Sequence, residues 1–362
     1  MKFAFRADAS IRIGSGHVMR CLTLADGLKA RGHESCFLAR PHEGHLADHI
    51  RARGHALVSL PIDGGDRDEA DPDGPPHAEW LGGPWTGDAT ATLAALRGAA
   101  PDWLVVDHYA LDARWEALVA PACGRMLVID DLADRPHACD MLLDQNPGRR
   151  AADYAALLPA GCETLIGQQF ALLRPEFRAL RTASLARREA PMLRNILVSM
   201  GGIDKDDATS AVLDGIEAAG LPDGVTVTVV SGRDAPWLDK VRRRAADMRL
   251  PTEVLAGVRN MAERMMQADL AIGAAGGTAW ERCCLGLPSI VIVLAVNQRP
   301  GAEALARAGA GWVIDDIAAV RRELPGLLAA AAAPATLAQV ARRAAGITDG
   351  RGAERVCERL LS

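Results

Sequence analysis

The 362-residue chain lacks the features that mark nucleic-acid-binding, membrane-spanning and disulfide-framework proteins. Its formal net charge is −5, so it offers no basic surface for a polyanion and no nucleic-acid partner is expected. No apolar run approaches the length that spans a bilayer, so no membrane association is expected. The N-terminus runs directly into a strand-like segment, which predicts no signal peptide and a cytoplasmic location. The eight cysteines (Cys21, Cys36, Cys123, Cys139, Cys162, Cys283, Cys284 and Cys357) form no CxxC pair and no metal-ligand spacing. They are expected to be free thiols in a reducing compartment, with no bound metal. Neither GxxxxGK[ST] nor a GxGxxG in Rossmann position occurs.

What the chain does have is ordinary globular material, with 49% hydrophobic and 24% charged residues, at a length that suggests two domains. Short apolar runs alternate with helical stretches. Candidate strands are 2–6, 34–39, 56–60, 103–107, 126–129 and 141–143, then 195–199, 225–230, 252–255, 270–273, 289–293 and 312–314. Several are continuously apolar, as strands covered on both faces are. The expected fold is α/β, with two Rossmann-like, doubly wound parallel-sheet domains facing a central cleft. The boundaries read as 1–165, a linker over 166–190, and 191–362 with a helical tail. The first helix is expected from His17 to about Arg31, with Val18, Cys21, Leu22, Ala25 and Leu28 on one face and Gly32 as the stop. Asp63 to Asp88, rich in Gly, Pro and Asp, reads equally as a long surface loop or lid and as a disordered insertion without function. Leu327–Ala345 reads as helix.

The most informative stretch runs from Arg6 through Asp8, Gly14, Ser15, Gly16 and His17 to Arg20. An apolar start ends in polar residues, two glycines follow, and a helical pattern begins. His17 therefore sits at a strand–loop–helix junction, where backbone N–H groups can approach a ligand closely. An imidazole there suits a general base beside an anionic ligand. Ligands of open α/β sheets gather at the carboxyl ends of strands. That rule brings Asp8, Gly14, Gly16 and His17 to one rim with Asp107, His108 and Tyr109, and with Asp130 and Asp131. Asp107 and Asp131 have a second reading as helix N-caps, and His108 as a structural histidine. Arg20, one helical turn after His17, either binds an anion or pairs with a carboxylate.

The second half carries its own glycine turns, Met200-Gly201-Gly202 and Gly276-Gly277-Thr278. The latter opens a helix suited to a phosphate or pyrophosphate. Glu281, in that helix's first turn, either complements the dipole or accepts ribose hydroxyls. Asn297 and Gln298 follow the 289–293 strand.

These segments, together with Ala171-Leu172-Leu173-Arg174, resemble the PseG family, the UDP-sugar hydrolases of pseudaminic acid biosynthesis, within a GT-B group that includes MurG. The chain departs from compact members in its longer 63–88 segment, in Ile203-Asp204 where Thr-Asp is common, and in a stretch beyond about Asp316. The resemblance implies hydrolysis of UDP-2,4-diacetamido-2,4,6-trideoxy-β-L-altropyranose to UDP and the free sugar. It implies direct, inverting attack by water, without metal or cofactor. His17 is then the catalytic base, with Tyr109 and Asn297 near the sugar. Arg6, Asp8, Gly14, Gly16, Arg20, Asp107, His108, Arg174 and Gln298 are expected as substrate contacts. UDP is expected on Met200, Gly201, Gly202, Gly276, Gly277, Thr278 and Glu281. The small-molecule UDP-sugar is the expected partner, and a monomer suffices because the cleft lies within one chain. The alternatives are a GT-B glycosyltransferase, a UDP-sugar 2-epimerase of the same architecture, and a non-catalytic nucleotide-sugar sensor.

Overall fold

Each apolar run becomes a parallel strand whose alternate residues feed two different cores. A computed structural model describes residues 1–62 and 74–362. The first eleven residues of the expected lid, 63–73, lie outside the described residues. The first sheet is built from β1 (Lys2–Ala7), β2 (Glu34–Ala39), β3 (Ala56–Ser59), β4 (Trp103–Asp107), β5 (Arg125–Ile129), β6 (Met141–Asp144) and β7 (Glu163–Ile166), in the order β3-β2-β1-β4-β5-β6-β7. On one face Phe3, Phe5, Trp103 and Val105 pack with Val18, Cys21, Leu22, Ala25 and Leu28. Those five belong to α1 (Gly16–Lys29). On the other face Ala4, Leu104 and Val106 pack with Ala89, Leu96 and Trp115, from α3 (Trp85–Leu96) and α4 (Ala113–Val119). Burial on both faces is why these strands read as unbroken apolar runs. The short helix between β2 and β3, α2 (Ala47–Ala52), adds Ile50 to the α1 side.

The second sheet orders its strands β10-β9-β8-β11-β12-β13. They are β8 (Asn195–Ser199), β9 (Thr226–Ser231), β10 (Thr252–Ala256), β11 (Leu270–Ala274), β12 (Ser289–Ile292) and β13 (Trp312–Ile314). Both sheets are wholly parallel. In each, the direction of winding reverses between the first and fourth strands, β1 with β4 and β8 with β11. Those are the switch points where doubly wound sheets hold ligands.

The chain divides into one unit of residues 1–172 plus 352–362 and a second unit of 173–351. The expected boundaries differ from this at two places. The segment read as linker divides at residue 172 and supplies α5 (Pro175–Arg187) to the second unit, while the edge strand β7 lies almost wholly before it. Half of β7 is polar and only Leu165 is buried, as suits an edge strand, so no apolar run marked it. The last helix, α13 (Gly352–Leu360), belongs to the first unit. Val356, Cys357 and Leu360 join the α1 side of the first core, and Trp103 Nε1 donates to the Leu360 carbonyl at 3.0 Å. Gly352 permits the approach, because a Cβ there would lie 2.2 Å from the Ala171 carbonyl oxygen.

The Ala-rich stretch is helical but broken into α11 (Ile317–Ala331) and α12 (Pro334–Ala345), bent by 99°. Pro334 opens the second piece at a position where a missing N–H costs nothing. Leu324, Leu328, Ala331 and Leu337 bury themselves in the second unit's core. Leu324 packs on Gly215 of α6 (Ala208–Ala218), where a Cβ would meet its Cδ2 at 2.8 Å. Among the described residues, no single helix is long and apolar enough to cross a membrane.

Candidate functional site

The β1 and β4 ends meet at the first switch point, and the chain leaves β1 through a tight turn. Gly14 holds φ at +81° and donates its N–H to the Ser10 carbonyl at 2.8 Å. Only glycine takes that backbone conformation without strain. Gly16 opens α1, and neither glycine has an atom within 4 Å of the place a Cβ would take. The turn aims His17 across to the last residue of β4, where its Nδ1 lies 2.6 Å from Asp107 Oδ1.

Asp107 is fully buried and is shared. Arg20, one turn along α1, grips it with Nε on Oδ2 at 2.6 Å and Nη2 on Oδ1 at 2.7 Å. Burial works against the charge on Asp107, but the Arg20 guanidinium outweighs it and holds the carboxyl well below the usual carboxylate range. An ionised acceptor fixes the imidazole with its proton on Nδ1, so Nε2 carries the lone pair. Nε2 makes no hydrogen bond among the described residues, and the side chain keeps 9% of its surface exposed.

The second guanidinium arm of Arg20 reaches Asp131 just beyond β5. Asp131 also accepts from Tyr109 Oη at 2.9 Å and from Asn146 Nδ2 at 3.2 Å. Tyr109 then packs edge-on against His17, with ring centroids 4.5 Å apart at 86°. Burial first, and then Asp131, push the Tyr109 phenol well above its ordinary value, so it stays a hydrogen-bond donor. His17, Arg20, Asp107 and Tyr109 are thus brought together as the sequence predicts. The helix-cap reading of Asp107 and Asp131 is not what the structure has. The cap of α4 is Asp112, which accepts from the Arg114 N–H.

Three expected substrate contacts are placed elsewhere. Arg6 and Asp8 are fully buried and bonded to each other at 2.7 Å. Arg6 also grips Asp88 of α3 with Nε at 3.1 Å and Nη2 at 2.6 Å. Asp8 accepts the Arg40 N–H at 2.8 Å and faces His108 Nε2 at 3.3 Å. His108 is 3% exposed, and its Nδ1 accepts the Ala110 N–H at 3.1 Å. With no solvent-facing surface to offer, these side chains brace the rim from below rather than touch a ligand. The expected loop ends differently as well. Residues 78–81 form a 3₁₀ turn, α3 begins at Trp85, and Asp88 is a core ion-pair partner of Arg6 and Arg40.

Sequence reading missed His77 and Trp80. Their ring centroids lie 4.4 Å apart with the planes tilted by 39°, and 5.5 and 5.8 Å from the Tyr109 ring. No periodic signal marks them in a stretch of sequence rich in Pro, Gly and Asp.

In the second unit the glycine turns lie at the second switch point. Met200-Gly201-Gly202 follows β8, with Gly201 at φ +94°. Gly202 is overlaid so closely that a Cβ on Gly232 would sit 1.9 Å from its carbonyl oxygen. Gly276 and Gly277 lead into α9 (Thr278–Cys284), with open space where each Cβ would be. Beneath this turn lies Arg282, a residue the sequence reading passed over. It is 2% exposed and donates from Nη2 to the Ala274 carbonyl at 2.8 Å. Burial pushes its guanidinium down to about 10, still protonated at neutral pH.

Glu281 is held by Arg174 Nη2 at 3.1 Å, and Arg174 also reaches Glu176 at 3.0 Å. Burial pushes the Glu281 carboxyl up, against the pull of Arg174. Arg174 is therefore engaged with carboxylates of its own unit. Asn297 is exposed on a 3₁₀ turn after β12, and Gln298 accepts the Leu294 N–H at 3.1 Å. Among the described residues, no group of three or more His, Cys, Asp or Glu side chains is arranged to hold a metal.

Residues 196–356 match the glycosyltransferase family 28 C-terminal domain. The chain is similar to the UDP-2,4-diacetamido-2,4,6-trideoxy-beta-L-altropyranose hydrolase of Campylobacter jejuni, 25% identical over 309 residues that cover 85% of this chain and 97% of that protein. It is similar, over a shorter span, to a UDP-N-acetylglucosamine–N-acetylmuramyl-(pentapeptide) pyrophosphoryl-undecaprenol N-acetylglucosamine transferase of Chromobacterium violaceum. That likeness is 38% over 91 residues, 24% of this chain and 25% of that protein. The structure of Acinetobacter baumannii MurG superposes with a TM-score of 0.69 at 15% identity, covering 99% of both chains. The chain is thus an α/β protein of two parallel-sheet units, MurG-like in fold, with a glycosyltransferase family 28 C-terminal domain match in its second half and a sequence likeness along most of its length to a UDP-sugar hydrolase.

Proposed function

We propose that this protein hydrolyses UDP-2,4-diacetamido-2,4,6-trideoxy-β-L-altropyranose to UDP and 2,4-diacetamido-2,4,6-trideoxy-L-altrose, a step of pseudaminic acid biosynthesis. It acts as a cytoplasmic monomer, without metal or cofactor. The observation that carries this reading is His17, with Nδ1 committed to Asp107 and Nε2 left without a partner among the described residues. Nε2 takes a proton from water as water attacks the anomeric carbon and the bond to UDP breaks. Such general-base assistance contributes about 10²–10⁴-fold. UDP leaves readily, so the second carboxyl group of ordinary glycoside hydrolysis is not needed. Direct attack inverts the anomeric centre. The first unit supplies the base, and Tyr109 and Asn297 contact the sugar. The second unit supplies the nucleotide contacts at Met200–Gly202 and Gly276–Thr278, and its helix start offers backbone donors to the pyrophosphate.

A second reading is transfer to an acceptor hydroxyl in place of water. The family 28 domain and the likeness to MurG favour it. Incubating the enzyme with the UDP-sugar and water as the only acceptor separates the two. Hydrolysis releases UDP and the free sugar, whose first-formed anomer is read by NMR. Absence of UDP release until an acceptor is added supports transfer instead. His17→Asn should bind UDP and release none, and turnover near that of the wild type in this variant removes His17 from the mechanism.

A further inference from the structure

We propose that Cys139 and Cys162 form a peroxide-responsive thiol pair that closes to a disulfide and ties the edge strand β7 to its neighbour β6. The two residues lie just before these strands, which pair in parallel with Met141 opposite Glu163. Neighbouring strands run about 4.8 Å apart. In this register Cys162 lies opposite Asp140, one residue along from Cys139, and that offset of about 3.3 Å added at right angles to the spacing puts the Cα atoms about 6 Å apart, within the roughly 4.4–6.8 Å that disulfides span. The side chains already converge, with the two Sγ atoms 3.7 Å apart. Bond formation requires them to approach to about 2.05 Å, a movement that rotation about the two Cα–Cβ bonds can supply.

The pair is asymmetric. Cys139 is 5% exposed, whereas Cys162 is half-buried and open to a small reagent. The contact with Cys139 lowers the Cys162 thiol below its ordinary value against the opposing effect of burial, and His137 adds to this while Asp140 and Glu116 oppose it. Cys162 is therefore the attacking sulfur. Its thiolate displaces hydroxide from hydrogen peroxide and becomes a sulfenic acid. The Cys139 thiol then attacks that sulfur, the S–S bond forms, and water leaves. In sum, two thiols and one peroxide give one disulfide and two waters, the sulfurs being oxidised and the peroxide reduced.

No other two cysteine sulfurs are in hydrogen-bond contact among the described residues. Cys283 and Cys284 are adjacent on α9, where successive side chains diverge by about 100°. The remaining six thiols are thus an internal control. The pair also sits at the amino ends of its strands, the opposite edge of the sheet from His17.

The experiment treats the full-length protein with a small molar excess of hydrogen peroxide, counts thiols with Ellman's reagent, and maps peptides by mass spectrometry. The expected result is loss of two of the eight thiols, one linked pair of peptides bearing Cys139 and Cys162, reversal by dithiothreitol, and a melting temperature raised by several degrees. In Cys139→Ser, dimedone should trap a sulfenic acid at Cys162. In Cys162→Ser, Cys139 should remain a thiol. Survival of all eight thiols in the wild type, a linkage through any other cysteine, or oxidation of Cys139 in Cys162→Ser at the wild-type rate overturns the proposal. The wild-type peptide map decides the matter even if a variant fails to fold.

Discussion

Asp107→Asn is the most informative perturbation of the candidate site, because an amide offers one acceptor where the carboxylate offers two. Asp107 now accepts three strong hydrogen bonds, at 2.6 Å from His17 Nδ1 and at 2.6 and 2.7 Å from Arg20. Arg20 donates at every nitrogen and cannot accept. The Asn oxygen must therefore turn to Arg20 and its NH₂ to His17. A donor facing Nδ1 obliges the imidazole to accept there and to carry its proton on Nε2, the atom that should receive the proton from water. The same reversal of tautomer, with geometry kept, costs a serine-protease triad about 10⁴-fold in kcat. The expected loss here is about 10²–10⁴-fold, the whole contribution of the base.

Stability should suffer less. Arg20 keeps Asp131 and one Asn oxygen, so the cost is that of one charge-assisted hydrogen bond, about 1.5–3 kcal/mol. The assay is UDP release under saturating substrate, with the UDP dissociation constant from calorimetry and urea unfolding as controls. The reasoning requires kcat to fall while UDP affinity holds within about twofold, a difference smaller than ~0.5 kcal/mol. A kcat within about threefold of the wild type, less than ~1 kcal/mol of transition-state stabilisation, refutes it.

Two further outcomes follow from charges set away from the imidazole. Asp88→Ala leaves the buried Arg6 and Arg40 guanidiniums short of a carboxylate and frees the Trp115 Nε1 donor. It should cost about 3–5 kcal/mol in urea unfolding, and a cost below about 1 kcal/mol would show that the pair is not a brace of the rim. His137→Gln tests a pH effect. Burial opposes the charge on His137, but the Asp130 carboxylate 3.9 Å from Nε2 and the Glu116 carboxylate 2.7 Å from Nδ1 outweigh it and hold the imidazole at about 9. A raised folded value stabilises fully below the unfolded value of about 6.5 and is lost as pH rises through the folded one. Between pH 6 and 10 the wild type should lose more unfolding free energy than His137→Gln, and parallel pH profiles would contradict this.

The fold was legible where burial on both faces wrote long apolar runs, as in 103–107 and 270–273. It was illegible where an edge strand is half polar and only partly buried, as in β7, or where the partner is remote. Nothing in Gly352–Leu360 states that its apolar face closes on α1, because that contact joins residues more than three hundred positions apart, such as Cys357 and Leu24. The site follows the same rule. His17, Arg20, Asp107 and Tyr109 were readable because strand ends and helix starts share one rim in this topology. Burial was not readable. The run Arg6-Ala7-Asp8 looks like a ligand motif, yet its charges satisfy each other and Asp88, whose position in α3 could not be inferred from a Pro- and Gly-rich neighbourhood.

The rim has a simple electrostatic logic. Strands β4, β5 and β6 each end at or just before a buried aspartate, and each of those carboxylates is met by an arginine. Asp107 meets Arg20, Asp130 meets Arg135 at 2.8 Å, and Asp144 meets Arg149 at 3.0 Å. Apolar strands that stop in a sheet's interior must end in polar groups, and those groups must be paired or they cost several kcal/mol each. Asp144 shows the limit of this arrangement, since burial and then the nearby Asp131 push it up to about 7 despite Arg149. In this rim an uncommitted group that also reaches solvent is the informative one. The Nε2 atoms of His108 and His137 lack a hydrogen-bond partner too, but they are buried. The His17 side chain keeps a solvent-facing edge at the first switch point, with its tautomer set from behind by Asp107, and that is the state in which an imidazole can take a proton from water.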